Sequence, residues 1–133
     1  MAVLAQLEPK AVFHYFEEIC GIPHGSSDTQ AISDYLVAFA KKRNLYVRQD
    51  TLGNVIIKKP ATSGYEDAPV VMLQGHMDMV CEKTDDKEID FHTQGLDLVL
   101  EGNVIHADRT TLGSRHHDRG SAGILHVESR FRG

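Results

Sequence analysis

The chain has 133 residues, 41% of them hydrophobic and 25% charged, with a formal net charge of −5. One domain of ordinary size fits that length, with enough apolar sequence to bury a core. Surplus negative charge argues against a nucleic-acid partner, which wants a basic face. Two cysteines, Cys20 and Cys81, are too few for a disulfide scaffold. The first residues, Met1 to Glu8, lack the basic stretch and long apolar run of a secretion signal. No run nears the roughly 18 apolar residues of a membrane span. A cytosolic protein with free, inert thiols is expected, with no membrane partner.

Leu7-Glu8-Pro9 opens a first helix with proline in its first turn, where a missing N–H costs little. Val12, Tyr15, Phe16 and Ile19 recur at helical spacing, and the pattern stops near Gly21, with Pro23 beyond. Gly25-Ser26-Ser27-Asp28 is a polar break that offers a helix cap. From Thr29 to Arg43, the residues Ile32, Tyr35, Leu36, Phe39 and Ala40 mark one face of a second helix. Its closing Lys41, Lys42 and Arg43 suit the negative end of the helix dipole. His24 and Ser26, between the helices, could reach a site but are read as part of an ordinary connecting loop.

Leu45 to Gln49 and Asn54 to Lys58 read as strands joined by Asp50-Thr51-Leu52-Gly53. Pro60 to Glu66 is a polar loop, and Asp67-Ala68-Pro69 introduces an apolar run, Val70-Val71-Met72-Leu73, that reads as a buried strand. That run ends in Gly75-His76-Met77-Asp78-Met79-Val80. In extended chain, side chains two apart share a side. The Asp78 carboxylate can therefore accept one ring N–H of His76 and leave the other nitrogen for a metal. Such a carboxylate–imidazole pair fixes the tautomer and raises ligand basicity. The segment points to a piece of a metallohydrolase. A histidine merely satisfied by local hydrogen bonds is the competing reading of a lone His-x-Asp.

Glu82 to Thr93 is a charged stretch read as surface loop; Glu82 is near enough to the motif to approach a metal but is read as a solvated side chain. Leu96 to Leu100 and Val104 to Ala107 form a hairpin around Glu101-Gly102-Asn103. Asp108 and Arg109 follow it as a surface pair. The order helix, helix, hairpin, buried strand, hairpin predicts α/β architecture, with a mixed sheet flanked by helices. Beyond Gly113 the character changes: Arg115, Arg119, Arg130 and Arg132 crowd among His116, His117 and His126. We therefore divide the chain into residues 1–113 and a divergent Arg/His-rich tail, 114–133.

Four blocks resemble the aminoacyl-histidine (Xaa-His) dipeptidase family of cytosolic metallopeptidases. They are Ile22-Pro23-His24-Gly25-Ser26, Asp50-Thr51-Leu52-Gly53-Asn54-Val55, Leu73 through Cys81, and His106-Ala107-Asp108-Arg109-Thr110-Thr111-Leu112-Gly113. The resemblance implies the amino-terminal part of a zinc-exopeptidase-like catalytic domain that cleaves dipeptides of the Xaa-His type. It implies His76 as a metal ligand and Asp78 as the catalytic acidic residue that orients and tunes the site. It also implies two divalent ions roughly 3.5–4 Å apart that activate a water. Zinc is the expected ion, and imidazole also accommodates cobalt or manganese. A small peptide substrate and, for full-length members, a homodimer belong to the same implication.

The chain departs from the family's pattern after Leu112-Gly113, where an aspartate bridges the two metals. Read without gaps, Arg115 takes that place, and a cation there would repel both ions. With three residues inserted, Asp118 recovers the aspartate as a second ligand. The family's remaining site residues lie beyond the length of this chain, so we expect a truncated part that is inactive alone. The tail is then expected to be a truncated or frame-shifted end of a longer gene. The alternative is a catalytically dead binding or dimerisation module of the same fold.

Overall fold

In a computed structural model the chain is described over residues 2–112. Two helices come first, α1 (Lys10–Cys20) and α2 (Gln30–Lys42). Four short strands follow: β1 (Tyr46–Gln49), β2 (Val55–Lys58), β3 (Leu98–Glu101) and β4 (Val104–Ala107). These ranges match the helices and hairpins expected from the sequence to within one or two residues. The divergent tail, residues 114–133, lies outside the described residues.

Aromatic packing joins the helices. The rings of Tyr15 and Phe39 meet edge to face at 5.5 Å, and the Arg43 guanidinium lies 3.5 Å above the Phe39 centroid. Arg43 Nη2 also donates to the Tyr15 hydroxyl at 2.6 Å, and Tyr35 donates to Glu18 at 2.6 Å. Edge-on rings and a cation over a ring face both exploit the aromatic quadrupole. The amino-terminal arm folds back on α1, where the Glu17 carboxylate accepts from the backbone N–H groups of Val3 and Leu4. That contact holds Leu4 where it is buried, as are Ile19, Cys20, Ile32 and Ala40.

Helix α2 ends in a paired backbone motif. Asn44, at φ 55°, takes the left-handed conformation, and its N–H bonds to Lys41 O while Leu45 N–H bonds to Ala40 O. Two otherwise orphaned carbonyls are thereby satisfied, and asparagine tolerates the conformation well. The chain turns directly into β1, which pairs antiparallel with β2 from Tyr46↔Lys58 to Gln49↔Val55. The Asp50 carboxylate closes the turn by accepting from Leu52 N, Asn54 N and Asn54 Nδ2. Fully buried Ser33 ties α2 to this hairpin: its hydroxyl donates to Gly53 O at 2.6 Å and accepts from Gln49 Nε2 at 2.7 Å.

Strands β3 and β4 form a second antiparallel pair, from Leu98↔Ala107 to Glu101↔Val104. The approach to β3 is fastened to the end of α1 by Leu96 N–H on Cys20 O at 2.8 Å. Gly95 passes so close that a Cβ there would meet Gly21 O at 2.5 Å. Only glycine fits at that crossing.

One expected element does not form. Val70, Val71, Met72 and Leu73 are 96%, 66%, 85% and 51% exposed and take no regular structure. A fully apolar strand belongs to a sheet with neighbours at both edges and layers on both faces. The described residues supply none of these, so the run stays unpaired. In place of one mixed sheet they hold two separate antiparallel pairs, and the parallel pairing among them is a bridge between Gly25 and Met79.

Ser33→Ala is expected to lower unfolding stability by about 1–3 kcal/mol, because Gly53 O and the Gln49 amide lose a buried partner. Urea unfolding followed by circular dichroism measures this, and an unchanged midpoint would contradict the assignment.

Candidate functional site

His76 and Asp78 lie on the irregular segment that follows the exposed apolar run. His76 Nδ1 stands 3.0 Å from Asp78 Oδ1 and 2.9 Å from the Asp78 backbone oxygen. Both partners are acceptors, so the tautomer of the neutral ring that satisfies them carries its proton on Nδ1 and its lone pair on Nε2. The His76 side chain is 58% exposed, so the ring stands in solvent and not in the core.

The other carboxylate oxygen, Asp78 Oδ2, accepts from the Ser26 hydroxyl at 2.7 Å. That hydrogen bond, more than the one from His76, holds the Asp78 carboxyl below its usual range. Ser26 is itself anchored on the same stretch of chain. Its N–H donates to Met79 O at 3.0 Å, and Met79 N–H donates to His24 O at 2.9 Å. Gly25 makes this approach available, because a Cβ there would lie 2.8 Å from Cys81 Sγ. Met79 is buried at the crossing, and so is His24, whose Nδ1 lies 2.6 Å from Ile22 O.

A second set of bonds holds the chain on the far side of Met79. Thr111 Oγ1 donates to Val80 O at 2.7 Å, and Thr111 N–H to Glu82 O at 2.9 Å. Lys83 and Thr110 form an antiparallel bridge, and Thr84 N–H bonds to Arg109 O. Beneath this ladder lies buried Lys87, its ammonium 2.7 Å from Asp97 Oδ2 and 3.0 Å from Asp108 Oδ2. These two carboxylates, Asp97 first, hold the Lys87 ammonium above its ordinary range. Arg109 pairs with both Asp108 and Asp86. The Asp108–Arg109 pair expected from the sequence is thus part of a five-residue charge cluster, and Lys87 is buried where a surface loop was expected.

The sequence-predicted residues divide clearly. His76 and Asp78 are brought together as the spacing implies. Ser26, read as ordinary loop, is a direct partner of Asp78, and the separation of 52 residues hid that contact. Glu82 is held by its backbone, with an exposed side chain. Asp118 lies outside the described residues, as does Arg115. Cys20 and Cys81 are free thiols. Burial, then the nearby Glu17 charge, pushes the Cys20 thiol up to about 12. Burial and then Asp28 raise Cys81 as well, so neither is poised as a thiolate nucleophile. Among the described residues, no group of three or more His, Cys, Asp or Glu side chains is arranged to hold a metal ion. They fit one coordination position, His76 Nε2, where a catalytic zinc takes three from its protein. Among the same residues, no helix is long and apolar enough to cross a membrane.

The fold is that of part of a dipeptidase. The solved aminoacylhistidine dipeptidase from Vibrio alginolyticus superposes with a TM-score of 0.79 at 40% identity, over 83% of this chain and 22% of that one. The cytosol non-specific dipeptidase of Escherichia coli (strain K12) is 39% identical over 114 residues, 86% of this chain. The chain is a homologue of these dipeptidases, and it spans about a quarter (24%) of the length of the curated relative. No family model matches the chain.

The charge cluster makes a pH prediction. Hydrogen bonds from Arg109, then from Lys87, lower the Asp108 carboxyl to about 2 in the folded chain, against about 3.9 for an unperturbed aspartate. A depressed folded value contributes stability that is complete above the unfolded value and is lost as pH falls through the folded one. Asp108→Asn is therefore expected to flatten the loss of stability between about pH 4 and pH 2. Urea midpoints measured across that window check it, and parallel slopes for variant and wild type would contradict it.

Proposed function

We propose that this chain represents the metal-binding edge of a metal-dependent dipeptidase domain, with His76 as a ligand and Asp78 as the acidic residue that fixes its ring. The observation that carries the reading is the His76 Nδ1–Asp78 Oδ1 contact of 3.0 Å, which leaves Nε2 open. It occurs in a chain 39% identical to a cytosol non-specific dipeptidase. An imidazole braced by a carboxylate is the usual state of a metal-ligating histidine. Zinc suits an imidazole and carboxylate donor set, with cobalt or manganese as alternatives. In the whole domain two such ions would activate a water against a peptide carbonyl, and Asp118 would supply one further carboxylate. The substrate class is a short peptide with a free amino terminus, of the Xaa-His type, and the setting is the cytoplasm.

One open nitrogen is not a catalytic centre. A single well-placed imidazole binds a divalent ion loosely, and a hydrolytic zinc needs three protein ligands with an open fourth position. The described residues by themselves are accordingly inactive, and further ligands, Asp118 among them, have to come from outside residues 2–112.

Zinc titration of the full chain by calorimetry, beside the same titration of His76→Ala, tests the reading. Uptake by the wild type is expected to be weak and to be lost in the variant, with no dipeptide hydrolysis above the uncatalysed rate by either. Equal uptake by both proteins removes His76 from the site. Dipeptide turnover by the zinc-loaded chain would overturn the inactivity.

A further inference from the structure

We propose that Ser26 is a positioning residue that sets the tautomer of His76 through Asp78. The inference deepens the metal-ligand reading of His76 and rests on it for its purpose, though its geometry stands without any metal.

The Ser26 hydroxyl has two acceptors in reach, Asp78 Oδ2 at 2.7 Å and Met79 O at 3.3 Å. The nearer is the charged one, and a hydroxyl on a carboxylate is the stronger bond. A carboxylate on a short side chain rotates about its Cβ–Cγ bond with little resistance. Fixing one oxygen therefore fixes the other, and here the other is the acceptor for His76 Nδ1. Ser26 thus aims Oδ1 at the ring from the far side of the carboxyl group.

The serine can do this because its own backbone cannot drift. Its N–H is bonded to Met79 O, the residue directly after Asp78, and the next turn is closed by Asp28 N–H on Gly25 O at 2.8 Å. Ser27 completes that turn in the left-handed region, at φ 67°. The hydroxyl and the carboxylate are therefore mounted on two strands of one short parallel bridge. Without the hydroxyl, Asp78 Oδ2 would lose its protein donor and the carboxyl would swing toward water. His76 Nδ1 would then keep only the Asp78 backbone oxygen at 2.9 Å. The ring proton would redistribute toward Nε2, the nitrogen needed for a ligand.

Nitrogen-15 spectra of the neutral His76 ring read the tautomer directly in the metal-free full chain. Wild type is expected to carry its proton on Nδ1. Ser26→Ala is expected to move a measurable fraction to Nε2, while Ser26→Thr, which keeps a hydroxyl, retains the wild-type pattern. Amide spectra of both variants report the fold, which a merely structural loss would disturb equally in the backbone and the ring. An unchanged tautomer in Ser26→Ala overturns the proposal, and so does an alanine-like tautomer in Ser26→Thr. Where zinc is taken up, Ser26→Ala should weaken its affinity by about 10-fold, the scale of a lost support to a metal-ligating histidine. A tautomer shift without zinc uptake by any form supports the Ser26 assignment and sinks the metal reading alone.

Discussion

A two-bond crossing, Ser26 N–H on Met79 O and Met79 N–H on His24 O, is the constraint on which the candidate site depends. The segment that carries His76 is otherwise unsupported on its amino-terminal side, where Val70 to Leu73 lie exposed. A loop so placed would ordinarily sample many conformations, at about 1–2 kcal/mol per residue fixed. Burial of Met79 and His24 at the crossing, and the close approach of Gly25 to Cys81, offset that entropy. The imidazole and carboxylate are thereby presented on a fixed base while their polar ends stay in solvent.

The second support is electrostatic. The ladder from 80–84 to 109–111 carries the chain away from Met79, and the Lys87–Asp97–Asp108–Arg109–Asp86 cluster holds that ladder to the β3–β4 hairpin. Lys87 is the buried member, and its two carboxylate partners satisfy a charge that would be costly alone. Helices and the first hairpin pack together around Ser33, Phe39 and Arg43. Three of the four sequence blocks that resemble the dipeptidases converge on residues 78–83. The remaining block, Asp50 to Val55, shapes the β1–β2 turn through the Asp50 carboxylate.

What the sequence disclosed follows the range of the interactions involved. Helices α1 and α2 and both hairpins were legible because their signals are local: 3.6-residue periodicity, Pro9, Asp50 and Gly102. His76 and Asp78 were legible for the same reason, since two residues of spacing bring them into contact. The apolar run at 70–73 misled, because a continuous apolar pattern records the environment of a completed sheet and not an intrinsic preference of the segment. The partners of Ser26 and Lys87 are not legible in the sequence, because each depends on contacts with distant or oppositely charged residues that no periodicity encodes. Glycine and serine side by side at 25–26 were the available signal, one for close approach and the other for a short donor.

The picture that emerges is a small folded unit, homologous to about a quarter of a dipeptidase, that already holds one imidazole–carboxylate pair in a defined geometry. Amide hydrogen exchange at Ser26 and Met79 tests the central constraint most directly. The account predicts slow exchange at both, with comparable opening free energies, because one crossing protects the two groups together. Exchange at either amide as fast as at residues 70–73 would contradict it, and the site would then have no fixed base.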